Sequence, residues 1–145
     1  MTKRVYPKLP SDPYECLHQG CERPWEVAVD PYEVAPRTYY VGNLWVGAYL
    51  IASSDGLILI DTTMQPQVYL VFESIRKLGF DPADIRFILI SHMHYDHLGG
   101  VRALQDASGA EILMSREDWD FMTARPDQIF ESGYPCGAFK PDGFF

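Results

Sequence analysis

The sequence predicts an α/β fold, a sandwich built on a mixed β-sheet. Three observations carry that expectation. Strand-like and helix-like patterns alternate between Thr38 and Thr123, the order that defines the α/β class. Two apolar runs, residues 46–52 and 57–60, flank Ser53-Ser54-Asp55-Gly56, which is good hairpin chemistry. Beyond them, Val68, Val71, Phe72, Ile75 and Leu78 recur at the spacing of one helix face.

The elements follow in order. Six of the eleven prolines fall within residues 1–37, beside Tyr6, Tyr14, Trp25 and Tyr32. Proline at that density removes donors and blocks helix, so this segment is expected to be an extended arm whose aromatics pack down. Residues 38–41 (Thr-Tyr-Tyr-Val) are β-branched and aromatic and predict the first strand. After the hairpin, Asp61 closes a strand, Pro66 suits a first helical turn, and Gly79 stops the helix. Residues 85–90 (Ile-Arg-Phe-Ile-Leu-Ile) form a buried-strand pattern. A helix over 99–106, a short strand over 111–114 and a helix over 116–123 complete a unit spanning 38–125. Residues 126–145 return to Pro, Gly and aromatics without periodicity and are expected to be an aromatic loop.

At 145 residues the chain is one domain at most. Its 47% hydrophobic and 22% charged residues are those of a globular protein. A net charge of −8 argues against nucleic acid or anionic lipid as a partner, since a phosphate backbone requires a basic face. No apolar run reaches the ~18 residues of a membrane span, and no apolar h-region lies in residues 1–10. The chain as written is therefore expected to be soluble and off the membrane, either cytosolic or a mature form stripped of its signal. Three cysteines exclude a fully paired disulfide framework. Cys16 and Cys21 admit a small local disulfide or two free thiols, and lack the second ligand pair of a zinc knuckle.

Chemistry concentrates in His92-Met93-His94-Tyr95-Asp96-His97, which holds three of the four histidines. It follows the 85–90 strand, and α/β sheets place ligand sites at the carboxyl ends of strands. Imidazole nitrogens and a carboxylate are ligands that zinc accepts. His92 and His94, two apart in an extended loop, can hold one ion. Asp96 and His97, a turn further on, can face a second, and ions about 3.5–4 Å apart can share a hydroxide. Gly99-Gly100 lets the chain pass close beside them into a helix.

The run Ser91-His92-Met93-His94-Tyr95-Asp96-His97-Leu98-Gly99-Gly100 resembles the metal loop of the metallo-β-lactamase superfamily. Residues 56–62, 77–80 and 84–85 agree with it. The stretch from Trp25 through Tyr39-Tyr40-Val41-Gly42 to Asp118 is most similar to the third subclass of metallo-β-lactamases. The resemblance implies the amino-terminal half of an αββα sandwich with two zinc ions in a groove at one edge. By it, His92 and His94 bind the first zinc, Asp96 and His97 the second, and Asp96 also orients the attacking hydroxide. Asp61 either orients the metal loop or caps its strand; Tyr95 either lines the site or packs.

The implied reaction is hydrolysis of a β-lactam by a metal-bound hydroxide, with a lactone or a thioester as alternative small-molecule substrates. The family takes a further histidine for each zinc from a carboxy-terminal half, yet no histidine follows His97 and Cys136 is the one later soft ligand. The sequence is therefore expected to be the front half of a longer protein, with that second half needed to complete the site. A lone half would expose an apolar sheet face and associate. The competing reading is a metal-binding module without hydrolytic activity. Trp25, Trp45 and Trp119 are expected in core or groove, and Phe130, Tyr134, Phe139, Phe144 and Phe145 in a packed loop or a flap.

Overall fold

The computed structural model describes residues 8–128, 133 and 136–145. Besides short 3-10 turns, its α-helices and strands among these residues are α1 (Pro13–Glu22), β1 (Tyr32–Ala35), β2 (Thr38–Tyr40), β3 (Tyr49–Ser53), β4 (Gly56–Ile60), α2 (Val68–Lys77), β5 (Ile85–Leu89), α3 (Tyr95–Leu98), α4 (Val101–Ser108), β6 (Glu111–Met114), α5 (Arg116–Ala124) and β7 (Gly143–Phe144). The seven strands form one sheet in chain order. β1 to β4 run as an antiparallel meander, and β4 to β7 are mutually parallel. The sheet is mixed because tight turns join β1 to β2 and β3 to β4 and a loop over 41–48 joins β2 to β3, while helices bridge the later strands.

The 53–56 turn closes on Ser53 paired with Gly56. Gly56 has φ 128°, and a β-carbon there would come within 2.5 Å of Arg86 Cγ, so the position requires glycine. Period-two alternation then decides which face is covered. Leu50, Leu59, Ile88 and Ile112 pair in one row across β3, β4, β5 and β6, and none is accessible to solvent. They share a core with Val71 and Ile75 of α2, Val101 and Leu104 of α4 and Met122 of α5. The opposite face carries Ile51, Ile58 and Phe87 in one row and Ile60, Leu89 and Leu113 in the next. These six are only partly buried and lie outside that core. Toward β1 the second row continues as Tyr49, Tyr40 and Tyr32; the Tyr40 ring meets Tyr49 edge to face at 5.4 Å and stacks on Tyr32 at 5.3 Å. No helix among the described residues is long and apolar enough to cross a membrane.

The extended arm expected over residues 1–37 is corrected. Residues 13–22 form α1, with Asp12 as N-cap accepting from Tyr14 N at 2.8 Å and Pro13 in the first turn. Proline blocks helix interiors but suits a first turn, where its missing N–H has no intrahelical partner. Nor do all the arm's aromatics pack down, since Tyr14, Trp25 and Tyr32 are exposed. The sheet also crosses both expected boundaries, because β1 lies before residue 38 and β7 lies in the expected tail loop. Phe139 is buried in the core and Phe144 receives Arg116 over its ring at 3.9 Å, while Phe145 is exposed. Phe130 and Tyr134 fall outside the described residues. Cys16 and Cys21 are free thiols: Cys16 Sγ donates to the Pro10 carbonyl and Cys21 Sγ to Met64 Sδ.

Candidate metal centre

The cluster forms where β5 ends. The backbone leaves β5 through Ile90, whose N–H donates to Leu113 O, and turns at Ser91. His94 holds an extended conformation (φ −64°, ψ 140°) as the N-cap of α3, which carries Asp96 and His97 on its single turn. The helix expected over 99–106 is α4, displaced to Val101–Ser108, and the single turn α3 (Tyr95–Leu98) before it is an element that the sequence pattern does not mark. The four side chains named from spacing come together. The His92 ring lies 4.7 Å from that of His94 and 4.1 Å from that of His97, and His97 Nε2 lies 3.4 Å from Asp96 Oδ2.

Asp61 follows β4 directly, and its carboxylate reaches the loop after β5. Its Oδ1 accepts from Ser91 N at 2.8 Å, and its Oδ2 from Ser91 Oγ at 2.7 Å and His97 Nδ1 at 2.8 Å. A single buried carboxylate therefore ties the end of β4 to the loop after β5. The adjoining chain is under constraint, since Asp61 and Thr63 have φ 59° and 62°, unusual for residues other than glycine. Thr62 helps to hold it, its N–H and hydroxyl both donating to His97 O at 2.8 and 2.9 Å. Gly100 packs against the same segment, donating from its N–H to Thr63 O.

The electrostatics follow from this geometry. Hydrogen bonds to Asp61 and then Asp96 outweigh desolvation at His97 and raise its pKa to about 9. Desolvation alone would raise Asp96, but the hydrogen bond and charge of His97 prevail and hold its carboxyl below the usual range. Burial, followed by the charges of His97 and His94, keeps the His92 imidazole more readily neutral than usual.

The donor set suits zinc in kind, being imidazoles and one carboxylate. It does so only in part by number. Among the described residues, no group of three or more His, Cys, Asp or Glu side chains is arranged to hold one ion. His18 lies exposed on α1 beside Glu22, and Cys136 packs against the core with its thiol raised to about 11 by burial, so neither joins the cluster. Tyr95 is half-buried on α3. Trp119 packs on Phe139 and the core, whereas Trp25 is exposed. Ser91 is the residue that motif spacing left without a role. Its place in the network depends on Asp61, 30 positions away in sequence.

Comparison with known proteins agrees with this architecture. The chain is 27% identical over 121 residues to an N-acyl homoserine lactonase of Bacillus cereus, a match covering 68% of this chain and 47% of that protein. A subclass B3 metallo-beta-lactamase of Bradyrhizobium japonicum superposes with a TM-score of 0.77 at 31% identity, covering 86% of this chain and 48% of that one. Another subclass B3 enzyme, isolated from a soil metagenome library, is 41% identical with a TM-score of 0.64, covering 68% and 37%. The chain thus spans about half the length of these relatives. The sequence profile of the Metallo-beta-lactamase superfamily matches residues 46–143, which take in the sheet from β3 to β7 and the whole histidine cluster. By that match and that shared fold, the chain belongs to the metallo-beta-lactamase superfamily.

Proposed function

We propose that this chain carries the metal loop of a zinc-dependent hydrolase that opens a β-lactam ring. The observation that carries the reading is the convergence of His92, His94, Asp96 and His97 at the carboxyl end of β5, anchored through Asp61. His92 with His94 would hold one ion, and Asp96 with His97 the other. Bound there, zinc supplies Lewis acidity toward a carbonyl oxygen and a nucleophile from water at neutral pH. The chain's own residues do the positioning. Asp61 holds His97 Nδ1 and so leaves Nε2 as the ligand atom of that ring. Asp96, drawn below its usual pKa, stays a carboxylate beside it. As a ligand, Asp96 is a poor free general base; its work is to hold the ion and orient the nucleophile.

Two ligands for each ion is fewer than the three that catalytic zinc sites draw from protein. The rest of the domain, on this reading, completes both sites. Likeness to subclass B3 enzymes over most of this chain supports a lactam as substrate. A second reading, a lactone, is favoured by the curated relatives, which are N-acyl homoserine lactonases.

The test is turnover of penicillin, a carbapenem and an acyl homoserine lactone. The zinc-loaded chain is assayed alone and fused to the remaining half of the Bradyrhizobium japonicum enzyme. Penicillin turnover by the fusion, lost to a chelator and to Asp96→Ala, is the expected result. Lactone turnover with no penicillin turnover would overturn the lactam assignment. Tight zinc binding by the fusion without any turnover would favour a non-catalytic metal module.

A further inference from the structure

Ser91 makes three hydrogen bonds that together determine where protons sit. Its N–H donates to Asp61 Oδ1, its Oγ lies 2.7 Å from Asp61 Oδ2, and the same Oγ lies 2.9 Å from His92 Nδ1. A hydroxyl has one proton to give. Asp61 Oδ2 already accepts from His97 Nδ1, so toward Ser91 it is again the acceptor, and the Ser91 proton points to it. Ser91 Oγ then has only lone pairs to offer His92. Nδ1 of His92 must carry the hydrogen, which leaves Nε2 as the ring's bare nitrogen.

We infer that Ser91 is a positioning residue that relays the Asp61 carboxylate to His92 and fixes that ring in its Nδ1–H form, with Nε2 free to bind a cation. One carboxylate thereby sets two imidazoles, His97 directly and His92 through a hydroxyl. A neutral histidine in water favours the opposite, Nε2–H tautomer, so the relay acts against the ring's own preference. Which nitrogen remains available is decided by the hydrogen bond that the other one makes. The purpose assigned to this arrangement rests on the metal reading of the cluster. The proton placement does not.

Nitrogen–proton correlation NMR of the metal-free chain, above neutral pH, reads the tautomer directly. The expected result is an Nδ1–H signal for His92 that shifts toward Nε2–H in Ser91→Ala and is restored in Ser91→Thr. His97, bonded directly to Asp61, is the internal control for the fold and keeps its signal in all three proteins. Zinc affinity is the second readout: Ser91→Ala should weaken binding by about 10- to 100-fold, the usual effect of removing a partner that orients a ligand, with Thr again restoring it. An Nε2–H His92 in the wild-type chain would overturn the inference even if no variant could be prepared. So would a Ser91→Ala spectrum unchanged at His92. A tautomer shift together with no zinc binding even by the fused, completed domain would support the relay and instead refute the metal reading.

Discussion

Asp61 Oδ2 accepts from His97 Nδ1 at 2.8 Å across 36 residues of sequence, joining the end of β4 to α3. Both residues sit where parallel neighbours β4 and β5 finish, so adjacency in the sheet converts separation along the chain into contact. The carboxylate is buried and the ring mostly so, which makes the pair sensitive to change at either end.

Asp61→Asn keeps the side-chain shape and tolerates the left-handed backbone, since asparagine is among the residues that adopt it. It removes the charge that faces Ser91 and His97. Part-buried donors left with a poorer acceptor should cost about 1 kcal/mol, read as a lower urea midpoint with unchanged slope. Zinc affinity should fall by about 10- to 100-fold in a competition titration. An unchanged affinity would show that Asp61 only closes its strand.

The pH dependence of the metal-free chain follows from His97. Its pKa is raised from 6.5 to about 9 by Asp61 and then Asp96. A raised folded-state pKa means that the folded chain binds the proton more tightly than the unfolded one. The resulting stability is complete below pH 6.5 and lost as pH rises through about 9. Urea midpoints should therefore fall between those limits in the wild type and stay flatter in His97→Gln. Zinc taken up at His97 must displace this proton, so uptake near neutral pH should release acid, measurable by calorimetry in buffers of different ionisation enthalpy.

Gly100 tests how closely the loop is packed. A β-carbon there would lie 2.5 Å from the Thr62 carbonyl oxygen and 2.7 Å from Val68 Cγ2. Backbone cannot yield as a side-chain tip can. Gly100→Ala should destabilise the chain by about 1–3 kcal/mol, the range of overpacking, and displace the Asp61–Thr63 segment. A thermal midpoint equal to that of the wild type would show that the segment has room to move.

Much of this was legible in the sequence because it depends on short-range pattern. Residues 85–90 are a strand by composition, and the Val68 to Leu78 spacing marks α2. The four clustered residues were legible because the chain itself supplies their proximity. Three features were not. The helix α1 buries only Cys16, Gln19 and Gly20, so it has no apolar stripe to betray it, and a proline in a proline-rich segment signals a break as readily as a first turn. All four residues of β1 are exposed, leaving no alternation to detect. The role of Ser91 required knowing that β4 pairs with β5, which no local window contains.

The open sheet face predicts how the chain behaves at high concentration. Ile51, Ile58, Ile60, Phe87, Leu89 and Leu113 form a contiguous apolar surface outside the core. Apolar patches of this kind drive association. Light scattering should show the mass rising with concentration. The pair Ile58→Thr and Leu89→Thr should reduce that rise without lowering the thermal midpoint much, because neither side chain packs into the helical side. A chain that stays monomeric at every concentration would contradict this.

The last prediction concerns zinc in the chain as it stands. Each proposed ion finds two ligands here, His92 with His94 and Asp96 with His97, and no third donor is in place among the described residues. Two ligands hold zinc poorly against water and buffer, whereas protein sites that retain it supply three or four. At His97 the ion must also displace a proton held up to about pH 9. Titration should therefore show weak, pH-dependent binding with less than full occupancy at neutral pH. The loop itself is already fixed, since β5 precedes it and Asp61, Ser91 and Thr62 bond across it. Further ligands brought by the fused half would bind without repeating that ordering cost, so affinity should rise by orders of magnitude. Tight binding of two ions by the chain alone would show that a donor from elsewhere in it, or from a second copy, completes the site, and would overturn the two-ligand account.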